Sequence, residues 1–345
     1  MKLPLEITAE PMEAMSVDEF PTGDNWQFEP KWDGFRCLCF RNGDELALQS
    51  KSGQPLTRYF PEVVVALKKL RARQFVLDSE IVVPVSRQLS FDSLLQRIHP
   101  AASRVAKLSS ETPAMLIVFD LLVDAAGSAV FEQPLEIRRK QLEKFAKRFF
   151  KTPDVRLSPA TTNLSTAGRW WKKVGDNLDG LVCKRTDLAY RFGLRDGMVK
   201  IKRRKTVDCV VGGFRYASKG KTVGSLLLGL YDDEGKLNHI GFTSAFAGLD
   251  REELTRKLEK LAGGPGFTGR APGGPSRWST KRSAEWESLK PKLVVEVEFD
   301  HFTGGRFRHG TRLIRWRPDK KPQLCTMGQI EQVRTSSTKL LELKG

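Results

Sequence analysis

The stretch Glu29-Pro30-Lys31-Trp32-Asp33-Gly34-Phe35-Arg36 sets a lysine two residues before Asp-Gly and five before an arginine, at the entry to a hairpin. The hairpin is written in the next fifteen or so residues: Phe35 to Phe40 and Glu45 to Gln49 flank Asn42-Gly43, a dipeptide suited to a tight turn. A lysine beside a turn is ordinarily a solvated side chain. Lys31 is set apart by the residues that accompany it along the chain.

Outward from the hairpin, strands and helices alternate to about residue 206. Pro61 opens a helix to about Leu70, and Phe75 to Val83 reads as a strand. A short helix near Phe91 to Ile98 leads to Met115 to Val123, an apolar run short enough for a buried strand. Pro134 to Phe149 and Thr166 to Val174 are predicted helices, the first with a basic exposed face; Leu181 to Lys184 and Met198 to Ile201 close the region as strands. Residues 1–206 therefore read as an α/β (α+β) domain. After Asp208 come five β-rich stretches, Cys209 to Tyr216, Ser225 to Tyr231, His239 to Phe246, Leu293 to Phe302 and Phe307 to Trp316. One helix, Asp250 to Leu261, falls between the third and fourth, which is the plan of a small all-β OB-fold barrel over 207–345. The Gly- and Pro-rich segment Gly263 to Gly274 is predicted to be a mobile loop within it.

Composition narrows the class. The 345 residues carry 58 Lys plus Arg against 41 Asp plus Glu, a net charge of +17 that draws polyanions, nucleic acid above all. No apolar run is long enough for a membrane span, and the first residues have no signal-peptide core. Five cysteines, none in C-x-x-C, and four scattered histidines argue against a disulfide framework and a structural zinc site. A reducing compartment is the simplest reading. Cys37 and Cys39 alternate along one strand and read as buried structural residues. Glu296, Glu298 and Asp300 alternate likewise and read as a solvated strand face.

Lys31 to Arg36 resembles the K-x-D-G-x-R nucleophile motif of covalent nucleotidyltransferases, and companion elements follow in that family's order. Glu80 lies in Leu77-Asp78-Ser79-Glu80-Ile81-Val82, where the family has an acidic strand residue. Phe119-Asp120 resembles the element whose ring stacks on adenine. Asp179-Gly180-Leu181-Val182-Cys183-Lys184 resembles E-G-[ILV]-[MV]-x-K with Asp in the Glu place. Lys200-Ile201-Lys202 resembles K-x-K, and Arg315-Trp316-Arg317-Pro318-Asp319-Lys320 resembles R-x-R-x-D-K at the end of the OB domain. The whole is similar to the ATP-dependent DNA ligases. The texture of Pro55 to Glu62 and of Gln96 to Ser103 resembles their short bacterial LigC-type group.

The resemblance implies roles. Lys31 would attack the α-phosphate of ATP, the AMP donor, and must first lose its proton; nearby cations or a metal ion are expected to depress its pKa. Lys200, Lys202 and Arg36 would supply that field and hold phosphate oxygens and ribose, with Lys184 also at the nucleotide. Asp33 would orient the nucleophile or a metal-bound water. Glu80 and Asp179 are the expected carboxylates for Mg²⁺ or Mn²⁺, although Asp179 also reads as a turn aspartate before Gly180. Glu29 would accept from the adenine amino group and repel the O6 of guanine. Phe119 would sandwich the base, where the residues alone suggest core. Arg315, Arg317, Asp319 and Lys320 would align the pyrophosphate and then swing away, with a hinge at Thr206-Val207-Asp208; a plain phosphate-binding strand is the other reading. Lys51, in the usual place of an arginine, would touch the nick phosphate without the bidentate fork.

Nicked duplex DNA is the implied partner, sealed by a monomer in the bacterial cytoplasm beside the nucleoid. The group is associated with repair, sometimes with break-end proteins and repair polymerases. The rivals are an RNA ligase, a GTP-using capping enzyme, which Glu29 disfavours, and a non-catalytic nucleic-acid-binding protein, which the intact Lys31, Glu80 and Lys202 disfavour. With thirty residues before Lys31 there is no expected room for an N-terminal helical DNA-binding domain, so the Gly263 to Gly274 loop or a partner is expected to help grip DNA.

Overall fold

Phe35–Asn42, Gln74–Val82 and Met115–Val123 are apolar almost throughout, a pattern that suits strands covered on both faces. In the computed structural model they are neighbours in a five-stranded sheet ordered Glu45–Ser50, Phe35–Asn42, Gln74–Val82, Met115–Val123, Val155–Leu157. The structure describes residues 2–86, 88–173, 179–202, 205–218, 220–246, 249–273 and 285–331. The chain divides between Arg203 and Arg204 into two compact units.

In the first unit, helices cover one face of this sheet through a core of Phe60, Leu67, Leu94, Leu142 and Phe145. Helix Pro61–Lys68 begins with proline in its first turn, where no backbone N–H is needed. The carbonyls at its far end are satisfied by Arg41, whose guanidinium donates to Leu67, Leu70 and Lys68 at 2.7, 2.8 and 3.2 Å. A second sheet runs Met15–Val17, Met198–Lys202, Gly180–Arg185, Trp26–Pro30. Phe28, Trp32, Val82, Ile117, Trp170 and Leu181 pack the two sheets and helix Leu164–Lys173 together. Helix Ala102–Glu111 has no counterpart in the sequence reading; Val105 is its only buried residue. Val174, at the end of the predicted helix from Thr166, lies outside the described residues.

The second unit is a barrel. Val223–Tyr231, Leu237–Ala245, Thr311–Trp316, Val294–Phe299 and Lys205–Tyr216 pair in that order, and Lys205–Tyr216 pairs back to Val223–Tyr231 to close the ring. Helix Arg251–Glu259 lies between the third and fourth strands in sequence, capped by Asp250, whose carboxylate accepts from Glu252 and Glu253. This is the OB-type topology.

Three expectations change here. Thr206, Val207 and Asp208 are not a joint: they pair with Glu298, Val297 and Glu296 in the strand ladder, and Val207 is buried. The Gly-rich segment is anchored over 263–273 (Gly274 lies outside the described residues). Gly263, Gly266 and Gly269 donate to the carbonyls of Ser288, Leu289 and Leu237 at 3.0, 3.1 and 3.0 Å. Phe267 is buried in the barrel core, in space that a Cβ on Gly212 would invade at 2.6 Å from its ring. The acidic strand face is not simply solvated either. Glu296 meets Arg315 at 2.7 Å, Glu298 meets Arg312 at 3.0 Å and Asp300 meets His309 at 2.7 Å.

Candidate active site

Lys31 to Gly34 are the crossing from strand Trp26–Pro30 of one sheet to strand Phe35–Asn42 of the other. Both motif glycines are steric requirements. A Cβ on Gly34 would overlap the Ile81 carbonyl oxygen, and one on Gly180, at φ +138°, would overlap that of Ile201. The Lys31 N–H donates to the Gly180 carbonyl at 3.0 Å, tying the crossing to the strand that begins beside Asp179. Around the crossing opens a cavity of about 650 Å³. Its lining includes Glu29, Lys31, Arg36, Lys51, Glu80, Phe119, Lys184 and Lys200, drawn from both sheets and predicted from the sequence for the site.

The Lys31 ammonium forms an ion pair with buried Asp179, whose carboxylate also stands 3.8 Å from Lys202. Burial pulls the Lys31 pKa down, but Asp179, Glu80 and Asp33 outweigh it and the net shift is upward. The expected depression by neighbouring cationic side chains is therefore not found: carboxylates, not cations, dominate the surroundings of Lys31. The cationic field falls on Lys200 instead, lowered by burial and then by Lys31, Lys202 and Lys51. Glu80 is pushed up to about 8, by burial above all, against the pull of Lys31 and Arg36. A carboxyl so desolvated gains from a divalent cation beside it, and no group of three or more His, Cys, Asp or Glu able to hold a metal gathers among the described residues. One or two carboxylates completed by phosphate and water is the donor set that Mg²⁺ takes, so these residues fit it.

Glu29, also in the cavity lining, is buried, 3.0 Å from the Lys184 ammonium. Phe119 is the single partly exposed position of strand Met115–Val123, so its ring faces the cavity rather than the core. The Lys184 ammonium lies 4.6 Å and the Arg36 guanidinium 5.6 Å from the ring centroid.

Arg36 is held by partners the sequence reading missed. It donates twice to buried Asp78, at 3.0 and 2.6 Å, and at 3.2 Å to the Tyr190 hydroxyl, which itself donates to Asp78 at 2.5 Å. Tyr190 also accepts from the Met12 N–H at 3.1 Å, fastening the N-terminal segment to this network. Asp78 is 42 residues from Arg36 and Tyr190 is 154, so no local pattern could signal the cluster. Lys51 pairs with Glu13 at 2.8 Å, and Glu13 also holds Arg195 at 2.6 Å.

In the second unit, Arg315 is exposed and pairs with Glu296. Arg317 and Lys320 converge on one missed residue, buried Asp208, at 2.9 and 2.7 Å. Arg317 also grips Asp319 at 2.8 Å, and the Asp319 carboxyl is pulled down to about 2 by that contact.

The sequence matches the model of the ATP dependent DNA ligase domain over residues 8–202 and that of the ATP dependent DNA ligase C terminal region over residues 219–320. It is 41% identical to DNA ligase C2 of Mycolicibacterium smegmatis, over 98% of each chain. It is 32% identical to the multifunctional non-homologous end joining DNA repair protein LigD of Mycobacterium tuberculosis, over 86% of this chain and 37% of that protein. Among solved structures, a mycobacterial DNA ligase D complexed with ATP and MES is 27% identical with a TM-score of 0.51, covering 93% of this chain and 98% of that one. With the lysine, its carboxylates and the barrel in the order the motifs require, the chain belongs to the ATP-dependent DNA ligases.

Proposed function

We propose that Lys31 is the residue that carries AMP. Once its ammonium proton has passed to solvent, its nitrogen forms a bond to the α-phosphorus of ATP as the bond from that phosphorus to the bridging oxygen breaks and pyrophosphate leaves. The AMP then passes to the 5′-phosphate at a nick, and the 3′-hydroxyl displaces it to seal the strand. The observation that carries this reading is the position of Lys31 at the crossing of the two sheets, in a cavity with Lys200, Arg36 and Glu80 and in contact with Asp179. Glu29 and Phe119 are the base end, with Lys184 bracing both; Lys200, Lys202 and Arg36 serve the phosphates and ribose, and Lys51 the nick phosphate. Glu80 and Asp179 are the residues that would hold Mg²⁺, which when bound neutralises phosphate charge. Asp33, which raises the Lys31 pKa, orients the nucleophile. Arg315, Arg317, Asp319 and Lys320 serve the pyrophosphate. The LigD likeness supports a role in repair, in the cytoplasm beside the nucleoid, with break-end proteins or repair polymerases as companions of a monomeric enzyme.

The test is a gel with ATP, Mg²⁺ and a nicked duplex carrying DNA or RNA strands. The wild-type protein is expected to seal the DNA nick, and Lys31→Ala to lose both sealing and the labelled enzyme adduct. A normal adduct on Lys31→Ala would remove the assignment.

A further inference from the structure

Glu29 faces a problem of acceptor capacity. A carboxylate offers about two lone-pair directions on each oxygen. Lys184 stands 3.0 Å from Oε1 and 3.1 Å from Oε2, and the Gln27 amide donates to Oε1 at 2.7 Å. Gln27 therefore takes one direction on Oε1 and Lys184 one on Oε2, and each oxygen keeps one direction open. The sheet makes this arrangement. Gln27 and Glu29 are two apart on strand Trp26–Pro30 and share a face; Gln27 stands opposite Lys184 and Glu29 opposite Val182 on strand Gly180–Arg185. All three polar side chains are buried, at 4, 2 and 6% exposure for Gln27, Glu29 and Lys184. Only an amide turned nitrogen-first can face a carboxylate, so the direction of the bond is set by chemistry.

Gln27 does not line the active-site cavity. It lines a second, polar cavity of about 610 Å³ with Arg139, Thr161 and Thr186, so it stands behind Glu29 and acts through it. Resting on the reading of Glu29 as the group that meets the base, we infer that Gln27 is a specificity-determining positioning residue: by holding Oε1 while Lys184 holds Oε2, it fixes the plane of the carboxylate and so aims its open acceptor directions for the 6-amino group of ATP. A freely turning carboxylate would present either oxygen and would hold one amino hydrogen less selectively. A pinned one is an oriented acceptor, and an analogue lacking the amino group leaves that acceptor unpaired.

The experiment compares enzyme adenylation, in single turnovers with Mg²⁺, by ATP and by purine riboside triphosphate, which lacks the 6-amino group. Gln27→Met keeps the length of the side chain and removes the donor. It is expected to raise KM for ATP about five- to tenfold, the net worth of one ordinary hydrogen bond. The maximal rate should stay within about twofold, and the preference for ATP over the analogue should fall by the same factor as KM rises. Should Gln27→Met melt below the wild type, Gln27→Asn, whose shorter amide withdraws the donor from Oε1, carries the same expectation. An unchanged preference in a folded variant overturns the inference, as does an equal loss with both nucleotides. Glu29→Gln separates the two layers. If it leaves the preference intact, the reading of the base end fails and the inference with it. If it lowers the preference while Gln27→Met does not, the positioning role alone is overturned.

Discussion

Asp179 and Asp208 are both buried aspartates that meet two cations each, Lys31 with Lys202 and Arg317 with Lys320, yet their settings differ. Asp179 precedes a strand at the edge of a cavity, with its second cation 3.8 Å away. Asp208 lies inside the ladder of Lys205–Tyr216. Its carboxylate accepts from Arg317 at 2.9 and 3.1 Å and from Lys320 at 2.7 Å, while Gln329 donates to its carbonyl at 3.2 Å. The same charges thus do different work. Beside a cavity, the pairing raises the pKa of Lys31; within a strand ladder, it fixes two basic side chains.

The comparison breaks most visibly at Asp179. Asp179→Ala is expected to slow enzyme adenylation by about two to three orders of magnitude, as loss of a charge-positioning group at a reacting centre does, with a melting temperature near that of the wild type. A rate within a few-fold of the wild type in rapid-quench assays with labelled ATP would make Asp179 the turn aspartate of the alternative reading. On the side of the barrel, Phe267→Ala is expected to cost about 3 kcal/mol by urea unfolding, the usual loss for a buried aromatic; a much smaller value would return the Gly-rich segment to the class of loose loops. Asp208→Asn is expected to cost about 2 kcal/mol, because Arg317 and Lys320 keep their charges without a charged acceptor. If it instead left stability untouched and abolished adenylation, the two aspartates would be alike after all.

The smallest effect is one of pH. His239, packed against Phe267 with ring centroids 5.2 Å apart, has its pKa lowered from 6.5 to about 4 by burial and then by Arg215, Arg270 and Arg306. Below 6.5 the unfolded chain takes up a proton that the folded barrel refuses, so this contribution is complete above about pH 6.5 and is lost as pH falls towards 4. The melting temperature of the wild type should therefore fall relative to that of His239→Gln between pH 7 and 5. A difference that does not change with pH would show that the ring is not held neutral.

What is legible in the sequence follows from how far apart the partners lie. The K-x-D-G-x-R stretch, its hairpin and the run Met115 to Val123 are local patterns, and that strand is bounded to the residue by its apolar run. Phe119 is placed by resemblance where the residues alone suggest core; its half-burial is what frees the ring for the cavity. Asp78, Tyr190, Asp208 and Gln27 act through contacts that depend on sheet register or on residues more than a hundred positions away, and composition around them is ordinary for a strand or a loop. Thr206 to Asp208 mislead because polar residues in a ladder resemble a linker, and residues 263–273 mislead because one buried ring outweighs several glycines. The net charge alone does not tell which cations are paired: nine basic residues against two acidic ones lie between Lys184 and Lys205, and Lys184, Arg185 and Arg191 are engaged by carboxylates.

Every other role assigned to the cavity depends on Lys31, at the crossing of the two sheets, being the lysine that carries the nucleotide. Incubation of the wild-type protein with ATP and Mg²⁺, followed by proteolysis and mass spectrometry of the peptides, tests this directly. A single AMP-bearing peptide is expected, with the modification on Lys31. An adduct on Lys184, Lys200 or Lys202, each close to the same cavity, would contradict it.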